Sequence, residues 1–137
     1  MNLKFETINF EIIENIAIIR LNRPNSYNSL NAKMAKELLE ISYECDTNKK
    51  IRAIILTGEG DKAFCAGGDL KSFHETGNVA KHLKMVTHDL HGAITKFSRM
   101  NSPLIVAVNG VAAGAGLSFV GFADLAIATS SATFVSA

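Results

Sequence analysis

Two stretches of small residues are where this sequence could do chemistry with its backbone: Cys65-Ala66-Gly67-Gly68-Asp69-Leu70 and Gly110-Val111-Ala112-Ala113-Gly114-Ala115-Gly116. Each is read as a loop that follows a buried strand and leads into a helix. Small residues at such a turn let a ligand come close to main-chain atoms. The first amides of a helix have no partner inside it and point outward at the positive end of its dipole. Two such loops facing one point would set two N–H donors on one oxygen, which is an oxyanion hole. A donor of that kind contributes about 3–4 kcal/mol to a transition state. Glycine loops also serve plain tight packing, so residue types alone leave both readings open.

Side-chain chemistry finds less support. His82, His88 and His91 share one expected helix, but spacings of six and three are not those of a two-histidine metal motif, and His74 stands apart. A solvated helix face is the simpler reading, and no metal site is expected. GAGLSFVG resembles a dinucleotide fingerprint, yet its third glycine position is Phe119. Ser118 lacks the second glycine of a nucleophile elbow. Cys65 has no adjacent histidine and is read as a packed thiol.

The elements that must carry the two loops are legible from periodicity. TINFEI alternates strictly, Glu14-Asn15 can turn, and IAIIRLN returns, so a β-hairpin opens the chain. Asn31 can cap a helix whose stripe is Met34, Leu38, Ile41 and Cys45. IRAIILT, at residues 51–57, reads as a buried, parallel-type strand. Asp69 can cap a short helix through about Glu75, and Thr76-Gly77-Asn78 breaks it. Val79, Leu83, Val86, Leu90, Ile94, Phe97 and Met100 predict a long helix. LIVAV, a small-residue helix from Gly114 to about Phe122, ADLAIAT and ATFVS follow. Strands alternating with helices predict an α/β class.

Composition sets limits. With 137 residues there is room for one domain, and no linker divides it. Fourteen basic and thirteen acidic residues give a net charge of +1, which draws the chain to neither nucleic acid nor anionic membrane. No run of eighteen apolar residues is present. The N-terminus does not read as a signal peptide, and the two cysteines are expected as cytosolic thiols, so a cytoplasmic location is expected. SATFVSA stops in an apolar extended run, from which a longer natural protein is expected.

RPNSYNSLN at residues 23–31, KAFCAGGDL at 62–70 and SPLIVAVNGVAAGAG at 102–116 together resemble the enoyl-CoA hydratase/isomerase (crotonase) superfamily. DLAIATSSATF, at 124–134, continues in register. The resemblance implies a spiral of ββα units, with residues 1–137 the N-terminal portion of a single domain truncated before its C-terminal helical part. It implies an acyl-CoA thioester as substrate, no cofactor beyond the CoA of that substrate, and a homotrimer or hexamer for the whole protein. By position, the resemblance implies that Gly68 and Ala115 supply the two oxyanion amides. The loop of Ala66, Gly68, Asp69, Leu70 and Lys71 borders the CoA arm, and Asn28 and Leu30 lie in the stretch closing over it. The chemistry implied is enolate stabilisation while a proton is moved or water is added.

One position departs from the hydratase pattern. Ser118 stands where a hydratase keeps a glutamate, and the second glutamate would follow Ala137. The resemblance therefore implies an isomerase rather than a two-glutamate hydratase, near the branch acting on unsaturated or ring-derived acyl-CoAs, including the phenylacetate-pathway isomerases. The alternative is a non-catalytic fragment or acyl-CoA-binding module without its proton-transfer residues.

Overall fold

A computed structural model describes residues 3–136. Strands β1 (Ile8–Ile13) and β2 (Ile16–Leu21) form the expected antiparallel hairpin. Its two-residue turn puts Glu14 and Asn15 at φ 49° and 68°. Both central residues at positive φ match the right-handed twist of the flanking strands.

Helix α1 (Ala32–Thr47) begins where the Asn31 side chain accepts from the Met34 amide at 2.9 Å. Strands β3 (Ala53–Gly58), β5 (Leu104–Val108) and β7 (Leu125–Ala128) run parallel to β2, giving the sheet order β1-β2-β3-β5-β7. Helix α3 (Val79–Arg99) is capped by Asn78, whose side chain accepts from the Lys81 amide. It packs along α1, and the two cover one face of the sheet. Met34, Leu38 and Ile41 of α1, Val86, Leu90 and Phe97 of α3, and Ile19, Ile54, Leu56 and Val106 of the strands share the core.

The IRAIILT run forms a parallel strand as expected, but its burial alternates along the chain. In β2, β3 and β5 alternate residues are buried and the rest half-buried. The helices cover only one face. Across the other, the register lines up Ile18, Ile55, Ile105 and Leu125. The apolar run hid an alternation of environment, because both faces carry aliphatic residues.

A second sheet was not legible from periodicity. Strands β4 (Ala63–Cys65), β6 (Val111–Ala113) and β8 (Thr133–Val135) pair in parallel in the order β4-β6-β8. Strand β6 lies inside the second stretch read as a glycine loop, and β4 runs into the first, sharing only Cys65 with it. Three residues are too few for a period to show. Two short α-helices, α2 (Leu70–His74) and α4 (Ala115–Phe122), and a 3-10 turn at Pro24–Ser26 complete the described chain.

Candidate active site

The two glycine stretches meet. Pairing of Ala63 with Val111 and of Cys65 with Ala112 runs β4 and β6 side by side in the same direction, so their chains leave at the same end. Beyond them the backbones touch: a β-carbon on Gly67 would lie 3.2 Å from the Ala113 carbonyl oxygen, and one on Gly114 would lie 3.5 Å from the Gly67 Cα. Gly67 has φ +99°, and Gly114 has φ 54° with ψ −120°. L-residues rarely adopt either conformation, so backbone shape favours glycine at both positions, and at Gly67 a β-carbon would also crowd the Ala113 carbonyl. Gly116 faces the Cys65 carbonyl, with no room for a β-carbon between them.

Gly68 and Ala115 sit one residue past this contact. Gly68 forms an isolated parallel bridge with Leu30. The Leu30 amide donates to Gly67 O at 2.7 Å, and the Asp69 amide donates to Leu30 O at 2.8 Å. Neighbouring peptide groups of an extended segment face opposite sides, so the Gly68 N–H is turned away from Leu30. Gly68 is exposed, and the Phe73 ring fills the space where its side chain would be, 2.8 Å from a built β-carbon. On the other side, Ala115 opens α4, with Gly114 as N-cap. The first closed helical bond there is from the Ser118 amide to Gly114 O at 3.1 Å. Among the described residues, neither the Gly68 nor the Ala115 amide has an acceptor. Two unpaired donors on touching loops can hold a carbonyl or anionic oxygen.

The side chains around these amides do structural work. Asn28 is fully buried; its Oδ1 accepts from the Arg23 amide, and its Nδ2 donates to Glu59 O and Ala63 O. Leu30 is buried in the core, and its backbone bonds to the loop. Asp69 caps α2, its Oδ1 accepting from the Ser72 amide at 3.1 Å, while its Oδ2 pairs with Arg23 at 2.9 Å. Burial would raise the Asp69 carboxyl, but hydrogen bonds from Ser72 and Arg23 and the charge of Arg23 outweigh it and hold the group below its usual value. Ala66, Leu70 and Lys71 are exposed along the rim of the loop, with Leu70 77 % accessible.

The remaining candidates sort as follows. Ser118 is exposed near the start of α4, with Oγ 3.4 Å from Gly114 O. Cys65 is fully buried and its thiol is pushed up to about 11 by burial, so it stays protonated at neutral pH. His74, His88 and His91 are exposed, and His82 packs its ring 5.5 Å from Phe73. Among the described residues, no three metal-binding side chains cluster. No helix described is long and apolar enough to cross a membrane. A hollow of about 710 Å³ beside Phe5, Phe10, Arg20 and Glu59 includes neither glycine loop.

Two residues that organise the site received no role from the sequence. Arg23 ties Ser29 to Asp69, and Asn109 accepts from the Gly58 amide while donating to Gly60 O and Ala63 O. Both stand in quoted motifs, but Asp69 on the one side and Gly58, Gly60 and Ala63 on the other lie more than forty residues from them, so no spacing announces these contacts.

Comparison with known proteins bears on the same segments. The family described as enoyl-CoA hydratase/isomerase matches residues 11–137. A putative enoyl-CoA hydratase/isomerase from Bacillus subtilis is 38 % identical over 126 residues, covering 87 % of this chain and 45 % of the relative. The 1,2-epoxyphenylacetyl-CoA isomerase of Escherichia coli is 35 % identical over 134 residues, covering 96 % and 51 %. The crystal structure of an enoyl-CoA hydratase from Bacillus anthracis superimposes with a TM-score of 0.88 at 30 % identity, over 96 % of this chain and 50 % of that one. The chain spans about half the length of the relatives it matches.

Proposed function

Because this chain belongs to the enoyl-CoA hydratase/isomerase family, we propose that it supplies the oxyanion hole and part of the substrate cleft of an enzyme acting on acyl-CoA thioesters. The observation that carries this reading is the contact of the two glycine turns, each followed by an amide without an acceptor among the described residues. In the proposed reaction the Gly68 and Ala115 amides hold the thioester oxygen. A base removes a proton from the acyl chain, the electron pair moves onto that oxygen as an enolate, and a proton returns at another carbon to give an isomer. Hydration would instead add water across the double bond, hydroxyl to the β carbon and hydrogen to the α carbon.

Isomerisation is favoured over two-glutamate hydration by Ser118. An exposed serine whose Oγ lies near Gly114 O is no base at neutral pH. The carboxylate within the two loops, Asp69, is already engaged by Arg23 and Ser72. The proton-transfer group therefore comes from outside the two loops. No cofactor is needed beyond the CoA of the substrate. A homotrimer or hexamer in the cytoplasm is the proposed setting for the complete protein.

Titration calorimetry with an enoyl-CoA tests the reading, and absence of any acyl-CoA binding by the complete protein would overturn it. Turnover in ¹⁸O-water separates the two reactions: hydration places solvent oxygen in the product, isomerisation does not. A second reading, a CoA-binding module without turnover, draws support from the paired state of Asp69. Binding without any turnover would favour it.

A further inference from the structure

Arg23 joins the two sides of the bridge that carries Gly68. Its Nη1 donates to Ser29 O at 2.7 Å and lies 3.3 Å from Ser29 Oγ, while its Nη2 pairs with Asp69 Oδ2 at 2.9 Å. Between these anchors lie the two main-chain bonds of the Leu30–Gly68 bridge. The side chains of Arg23 and Asp69 are 19 % and 14 % exposed, so the pair is largely withdrawn from water. It also has fixed hydrogen-bond geometry, unlike a solvated surface pair. Asp69 is held from a second direction by the Ser72 amide, and the Phe73 ring of the same helix backs Gly68. The Ala66 amide also donates to Tyr27 O at 3.1 Å, so main-chain bonds join the two segments along residues 66–69, and the guanidinium fixes the Asp69 end of that contact through a side chain.

The geometry points to Arg23 as a positioning residue that aims the Gly68 N–H at the substrate oxygen without touching substrate. This rests on the reading of Gly68 as an oxyanion donor. Donor strength depends steeply on direction, and a misplacement of about 1 Å can cost on the order of 10²-fold in rate. Arg23→Met keeps the stem and loses every donor. Arg23→Lys keeps the charge but offers a point contact in place of the fork.

The test uses the complete protein and an enoyl-CoA labelled with ¹³C at the thioester carbonyl. Its C=O stretch is read by isotope-edited infrared spectroscopy beside kcat, KM and Tm. Binding to the native protein should lower the stretch. Arg23→Met should lose part of that shift and lower kcat on the order of 10²-fold, with KM little changed; Arg23→Lys should recover part of both. Should Arg23→Met not fold, Asp69→Asn removes the ion pair while keeping an acceptor for Ser72, and it should show the same loss. A native shift and kcat that persist in a folded variant overturn the positioning role alone. A native band that does not move on binding overturns the donor reading, and the positioning role with it.

Discussion

Gly68 combines an exposed position, no side chain and an amide turned away from the bridge that holds it. Gly68→Pro removes that N–H outright. Turnover by the complete protein should fall by roughly 10²–10³-fold while acyl-CoA binding by calorimetry partly survives. Loss of both, with circular dichroism unchanged, would place the residue in binding instead. Asp69 allows a second check, through pH. Its carboxyl is lowered in the folded protein, so the stabilisation it provides is fully present above the unfolded value of about 3.9 and is lost as pH falls through the folded value. The Tm gap between the native protein and Asp69→Asn should therefore be widest near neutral pH and shrink below about pH 4. A gap that widens in acid would contradict the assignment. Residue type marked Gly68 as part of a small-residue turn and Asp69 as a helix cap, while the donor role of Gly68 was implied by the resemblance. Arg23 was opaque because its partners, Ser29 and Asp69, can be paired only once two distant segments are folded together.

Elements set how firmly those residues are held. Gly114 ends β6 and caps α4 in a conformation that L-residues avoid. Gly114→Ala should cost roughly 1–3 kcal/mol, read as a lower midpoint in urea denaturation. An unchanged midpoint would show that this turn is not strained by a side chain. Glu37 is buried in α1, where its carboxylate accepts from the Glu6 and Thr7 amides and from Thr7 Oγ. Glu37→Ala strands those donors and should destabilise by about 2 kcal/mol or more. That residue was invisible in the helical stripe, because a buried acid breaks the apolar pattern and its partners lie about thirty positions away. Long elements with a cap and a stripe, α1 and α3, were legible nearly to their ends. Strands β4 and β6 were not, since AFC and VAA are too short to carry a period and their pairing is long-range.

At the scale of the molecule, the helices cover one face of the larger sheet and leave the other apolar. Ile18, Ile55, Ile105 and Leu125 cross that face, and Ile127, Phe134 and Val135 are exposed on the last strands of the two sheets. Contiguous apolar surface of this kind favours association. The isolated 137-residue chain should bind an apolar dye such as ANS and sediment as more than a monomer. Ile127→Thr with Phe134→Thr should reduce both signals. A dye-silent monomer would mean that the strands are covered in solution.

What the sequence determined by itself was local and cumulative: the hairpin turn, the Asn31 and Asp69 caps, the helical stripes and the small residues of two loops. Each follows from interactions within a few residues, where side-chain type and period act directly. Motif order was enough to identify the family. Only the tertiary structure decided that the two glycine stretches touch, that they leave one small sheet side by side, and that the Gly68 amide is turned free by its bridge to Leu30. It also decided that Asn28 is a buried strut and that Asp69 belongs to Arg23. Those facts depend on segments tens of residues apart. Their meeting is set by burial of the whole core, and no local pattern encodes it.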